Sequence, residues 1–195
     1  MAVYLLVPLA YLFGSISSAV VIARLKRLED PRKVGSGNPG ATNILRYGGT
    51  AAAALTLIGD VLKGVIAVLV ARLFTQDPLV LALVGLMAFV GHLYPVFFGF
   101  RGGKGVATGL GVWLALSPWV ALALVMTWLL MAALFRYSSL SAISAAVLAP
   151  VYVWFFIPQL PYLALSIVMG VLLVWRHRSN VKKLLAGEES RIDQT

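Results

Sequence analysis

Seven times between residues 2 and 175 the chain enters an apolar run with almost no charge in it, at 2–23, 51–73, 79–98, 106–116, 119–135, 140–156 and 162–175. A helix that crosses a membrane needs about 20 mostly apolar residues, fewer where the protein thins the bilayer or buries the helix end. The pattern predicts an all-α integral membrane protein with seven transmembrane helices, forming a single domain over 1–195. The fourth run is short, and only Ser117 and Pro118 part it from the fifth, so five spans with one long interrupted segment is the competing count. Composition agrees with a membrane protein: 61% of the 195 residues are hydrophobic, 12% are charged and the mean hydropathy is +0.92, beyond the range of a soluble domain. The opening "MAVYLLVPLAYLF" has no basic segment before it and no convincing cleavage site after it, so it reads as a retained first span. There is no internal repeat and no low-complexity tract.

The net charge is +9 and the pI near 10.2. Such a balance can signal nucleic acid, but here the basic residues collect in short segments between apolar runs, as topology signals and anion sites do. With the N-terminus outside and the C-terminus in the cytoplasm, every Lys and Arg from Arg24 to Lys183 falls on the cytoplasmic side except Lys63, inside a span, and Arg72, near the outer face beside Asp77. The polar segments "VGSGNPGATNILR", "FRGGKGVATG", "RYSSLS" and "RHRSNVKK" are then expected on one face of the membrane, where they can form one site.

The first segment contains G-x-G-x-x-G as Gly35, Gly37 and Gly40, yet it lacks the strand, helix and βαβ unit that a dinucleotide fingerprint requires. Its glycines let backbone N–H groups approach a ligand, Ser36, Thr42 and Asn43 add side-chain donors, and Arg46 adds a fixed cation, which together make an anion cradle. The alternative is a connector in which Asn38-Pro39-Gly40 turns and Thr42 or Asn43 caps the next helix. In the second segment Gly102, Gly103 and Gly105 surround Lys104. This is not a nucleotide-binding P-loop, because Phe98 stands where the first glycine belongs and Gly105 follows the lysine. In the third, Ser138, Ser139 and Ser141 begin a helix, and capping accounts for one hydroxyl only. In the fourth, a helix that continues past Arg176 would bring His177, Asn180 and Leu184 to one side.

Asp60 and Lys63 lie three apart within the second span, either as functional charges or as a mutually neutralising pair that locks helices. His92, at the end of a span in "GHLYP", reads as a hydrogen-bonded structural residue. No segment holds paired carboxylates, a metal cluster, a G-x-S-x-G elbow or the His-x-x-x-x-Asp of glycerolipid acyl transfer, and there is no cysteine. What remains is a membrane-surface site rich in phosphate-binding groups and poor in acids and bases. It suits a substrate that arrives already activated. A transporter of organic phosphates would need polar groups deep in several spans, and a non-catalytic lipid-binding protein would not need glycine loops around single cations.

Taken together, "GSGNPGATN…R", "GHxYP…F…GGKGVAT", "RYxSL" and "RHRxN…L…GxE" resemble the bacterial acyl-phosphate:glycerol-3-phosphate acyltransferases, the PlsY type, over nearly the whole chain. The resemblance implies a seven-helix inner-membrane enzyme with a cytoplasm-facing site. It would move a fatty acyl group from acyl phosphate to the 1-hydroxyl of sn-glycerol 3-phosphate, the committed step of bacterial phospholipid biosynthesis, giving lysophosphatidate and phosphate. It further implies no cofactor and no metal, no nucleic acid, contact with membrane lipid, and a functional link to the soluble enzyme that forms acyl phosphate. Carried over residue by residue, the phosphate loop is Ser36, Gly37, Gly40, Thr42 and Asn43, with Arg46 and Lys104 as substrate-phosphate cations beside Gly102 and Gly103. Asn180 and His177 complete the pocket from the last helix. The family's S-L-A-S-I reads Ser139-Leu140-Ser141-Ala142-Ile143 here, so either Ser139 or Ser141 takes the usual serine's role.

Overall fold

In a computed structural model that describes residues 2–192, all regular structure among those residues is helical, and the chain divides after Leu116 into two compact units. The division falls at the Ser117-Pro118 interruption between the fourth and fifth apolar runs. The first unit contains α1 (Leu6–Gly14), α2 (Ser18–Leu25), α3 (Ala41–Arg72), α4 (Pro78–Leu93), a short 3-10 turn at Val96–Phe98, and α5 (Val106–Leu116). The second contains α6 (Pro118–Phe135), α7 (Ser138–Phe156), α8 (Leu160–Arg176) and α9 (Arg178–Leu185).

All seven apolar runs become helix, with differences of length. α3, the stretch from α4 to Phe98, α6 and α7 are each long and apolar enough to cross a membrane, whereas α1 with α2 and α8 with α9 qualify only as bent pairs, and α5 has 11 residues. The first run is therefore not one continuous helix. It breaks at residues 15–17 with a bend of 41°. The Ser15 hydroxyl donates to the Tyr11 carbonyl, the Ser17 hydroxyl accepts from the Val20 amide to start α2, and the Ile16 carbonyl freed by the break accepts from Lys63 Nζ at 2.9 Å. α3 starts at Ala41, ten residues before the apolar run, and bends at Gly49, whose φ of 78° suits a residue with no side chain. The expected straight continuation beyond Arg176 is replaced by a bend of 59°, with His177 at the break.

Without water to drive apolar faces together, membrane helices gain from close backbone approach at small residues. In the first unit α3 meets α5 so closely that a Cβ on Gly64 would overlap the Thr108 carbonyl, and one on Gly111 the Val61 carbonyl. Phe89, Leu81, Val84, Val68 and Val112 fill the interior of this unit. In the second unit α7 lies against both α6 and α8, and the Thr127 and Tyr152 hydroxyls hydrogen-bond across α6 and α7 at 2.5 Å. Leu130, Leu134, Trp154 and Phe155 are exposed, as the side chains of lipid-facing helices are.

Candidate active site

The segment before α3 is organised by Asn43. Its side chain is buried one turn into the helix and reaches back, Oδ1 accepting from the Ser36 amide at 2.9 Å and Nδ2 donating to the carbonyls of Pro31 (2.9 Å) and Val34 (3.1 Å). Asn43 does not cap the helix, contrary to that sequence expectation, and its side-chain amide is engaged by the loop. Within the loop the Gly37 amide donates to the Val34 carbonyl and the Gly40 amide to the Asn38 carbonyl. What faces outward is a different set. Ser36, Thr42 and Arg46 are exposed, and their side chains make no hydrogen bond or ion pair among the described residues. Thr42 and Arg46 stand four apart on α3, hence on one face. Gly40 begins that helix in an extended conformation without a side-chain cap, which leaves first-turn amides available to an anion.

This loop is tied to the next one. Asp30 binds Arg32 with both carboxylate oxygens, at 2.9 Å to Nε and 2.6 Å to a terminal nitrogen, and the Arg32 guanidinium donates onward to the Phe98 carbonyl at 3.1 Å. The hydrogen bond from the Arg32 side chain lowers the Asp30 carboxyl from 3.8 to about 2, with burial opposing it, and the same contact raises the arginine. Arg24 and Arg32 both lie over the Phe98 ring, at 6.0 and 5.8 Å from its centre.

Beyond Phe98 the chain folds back on the end of α4. The Gly103 amide donates to the His92 carbonyl at 3.1 Å, so it satisfies a helix-end acceptor. Gly102 and Gly103 are buried against that end, where a Cβ on Gly102 would overlap the His92 carbonyl and one on Gly103 the His92 ring. These two glycines seat the loop, and Lys104 between Gly103 and Gly105 is left half-buried.

In the second unit the key group was not among the sequence candidates. Glu189 Oε1 accepts from the Ser139 hydroxyl at 2.5 Å and from Asn180 Nδ2 at 2.7 Å. One carboxylate oxygen thus gathers the start of α7, α9 and the tail behind it. The signal was the glutamate of the G-x-E pattern, Gly187 to Glu189, overlooked because it lies past the last apolar run. Ser141, fully buried, donates to the Tyr137 carbonyl, and α7 begins at Tyr137 without a side-chain cap. Of the two serines left open, Ser139 therefore belongs to the polar cluster and Ser141 to its own helix. His177 is buried at the α8–α9 bend, where Nδ1 donates to the Leu173 carbonyl at 2.9 Å. A carbonyl can only accept, so that bond fixes the proton on Nδ1 and leaves Nε2 as the basic nitrogen of the neutral ring.

Residues 4–187 match the family described as glycerol-3-phosphate acyltransferase. The chain is 55% identical to the glycerol-3-phosphate acyltransferase of Methylococcus capsulatus over 189 residues, 97% of this chain and 96% of that one. It is also 55% identical to the enzyme of that name from Halorhodospira halophila, over 96% and 95% of the two chains. Among solved structures it resembles PlsY (YgiH), an integral membrane glycerol 3-phosphate acyltransferase. The glycerol 3-phosphate form has a TM-score of 0.93 at 45% identity, covering 98% of this chain and 96% of that one. The lysophosphatidic acid form has a TM-score of 0.91 at 44% identity, over 98% and 95%. A full-length family match, identities above half and a shared all-helical membrane fold lead to one conclusion: the chain belongs to the glycerol-3-phosphate acyltransferase family.

Proposed function

We propose that this family member takes its acyl group from acyl phosphate, transfers it to the 1-hydroxyl of sn-glycerol 3-phosphate and releases lysophosphatidate and inorganic phosphate at the cytoplasmic face of a bacterial inner membrane. The observation that carries the reading is the character of the outward groups of the first unit: Ser36, Thr42 and Arg46 around a bare helix N-terminus, with Lys104 on a loop seated against α4. These are phosphate-binding groups.

Acyl phosphate is a mixed anhydride whose phosphate leaves readily. The hydroxyl oxygen of glycerol 3-phosphate attacks the acyl carbonyl carbon, the carbon–oxygen bond to phosphate breaks, and the leaving phosphate accepts the hydroxyl proton. The protein is then required to align the reactants and to stabilise developing negative charge. Arg46 binds the phosphate of glycerol 3-phosphate, and Lys104 contacts phosphate in ground and transition states. Within the second unit His177 and Asn180 are the polar groups assigned to substrate, Asn180 and Ser139 being oriented by Glu189. The acyl tail lies between helices and open to lipid. A groove of about 670 Å³ within the second unit, lined by Ala146, Val147, Pro150, Ile167, Gly170 and Val171, is consistent with that.

The test is direct. Purified protein in detergent, supplied with acyl phosphate and glycerol 3-phosphate, should release phosphate and lysophosphatidate. Acyl thioesters should not replace the donor. Lys104→Ala should abolish transfer in a folded protein, and Arg46→Ala should chiefly raise the KM for glycerol 3-phosphate. Near wild-type rates in Lys104→Ala would refute the phosphate assignment, and activity with thioesters alone would refute the donor.

A further inference from the structure

A glycine-rich loop has few side chains with which to set its own shape, so its position comes from what it rests on. The loop that carries Lys104 rests on His92, by the bond from the Gly103 amide to the His92 carbonyl and by the ring, which occupies the space a side chain at 103 would need. The atom of the ring that faces Gly103 is Nε2. The opposite nitrogen, Nδ1, lies 3.5 Å from Asp60 Oδ1, and Lys63 Nζ lies 3.0 Å from the same oxygen while donating to the Ile16 carbonyl. Asp60, Lys63 and His92 are all buried.

A side chain wanted only to fill volume at the end of α4 could be apolar. A carboxylate placed inside a span is costly unless it is neutralised, and here it is neutralised by Lys63 and directed at the imidazole. The ring is therefore held between a fixed charge in α3 and the peptide that precedes Lys104. We infer that His92, braced by Asp60, is a positioning residue that sets the depth of Lys104. This rests on the reading of Lys104 given above. His92 touches no reacting atom in this scheme and acts through the loop.

Displacing a substrate-contacting group by about 1 Å can cost on the order of 100-fold in rate. Kinetics with acyl phosphate and varied glycerol 3-phosphate should accordingly show a loss of between about 10-fold and 100-fold in kcat for His92→Ala, at a temperature where thermal unfolding shows the fold intact. His92→Gln, which restores length and hydrogen bonding, should recover part of it. Gly103→Ala should be damaging alone but cost little more in the His92→Ala background, where the added methyl enters vacated space. Asp60→Asn combined with Lys63→Met, which keeps the span neutral, should lower kcat in the same direction. The proposal is overturned if the His92 and Gly103 penalties multiply, or if His92→Ala lowers only the unfolding temperature and leaves kcat and KM at wild-type values. Unchanged kcat in the Asp60 and Lys63 double variant removes Asp60 from it. Should His92→Ala fail to fold, the same coupling read between His92→Gln and Gly103→Ala decides. Lys104→Ala, measured alongside, separates the two readings: if it stays active the Lys104 assignment fails, and if it is inert while the His92 variants are indifferent the positioning role alone fails.

Discussion

A single oxygen of Glu189 receives two donors, the Ser139 hydroxyl and the Asn180 amide, and so converts two weakly placed polar groups into one oriented set. Hydrogen bonds to an ionised acceptor are about twice as strong as neutral ones, which makes the carboxylate the organiser and the other two its dependants. Nδ1 of His177 is committed to the Leu173 carbonyl. Its Nε2 has the electronic form of a base, which makes it the residue on which the proposed proton transfer to the leaving phosphate can be challenged. Positioned general bases contribute about 100-fold to 10,000-fold in rate. If phosphate accepts the proton, His177→Gln should keep substantial activity in a folded protein. A loss on the scale of the whole base contribution in His177→Gln, with Asn180→Ala far milder, would make His177 the base.

At the scale of elements, the link from Asp30 through Arg32 to the Phe98 carbonyl connects the segment before α3 with the turn that leads into the glycine-lysine loop. Its pH dependence has a definite sign. The folded-state carboxyl is lowered from 3.8 to about 2, so the link stabilises the fold fully above the unfolded value and the contribution is lost as pH falls toward 2. The unfolding temperature of Asp30→Asn in detergent should lie below that of the parent at neutral pH, and the gap should close between about pH 4 and about pH 2. A gap that persists unchanged through that window would show that the carboxylate is not what the link depends on. The apolar runs foretold where helix forms, because burial in lipid is a property of each run by itself, and four of the resulting helices are long and apolar enough to cross a membrane by themselves. It did not foretell the break at residues 15–17, which depends on Lys63 arriving from α3, nor the turn of Asn43 back into its own loop. The glycine-lysine loop was recognised by composition, yet its seat on His92 was invisible, since glycine leaves no side-chain pattern to read. In each case the missing information lay in a specific contact to a backbone group, which residue type and spacing do not encode.

Across the whole molecule, 16 basic against 7 acidic residues give the net charge of +9, and their crowding into the segments between spans supports the proposed orientation, N-terminus out and C-terminus in. The chain has no cysteine, so single cysteines at Ser36, Gly105, Ser139 and Ser179 report independently. All four should react with a membrane-impermeant thiol reagent from the cytoplasmic side alone, and labelling of any one from outside would break the seven-span topology. One further consequence concerns how such a chain reaches the bilayer. Lys63 and Asp60 sit three residues apart on the same helix and meet at 3.0 Å, so the lysine carries its counter-ion on its own span. α3 is thus a self-neutralised segment whose entry into lipid does not require α4, which follows it in the chain, to supply a counter-charge. The carbonyl of Ile16 and the ring of His92 are then added partners of an ion pair that a single helix already holds.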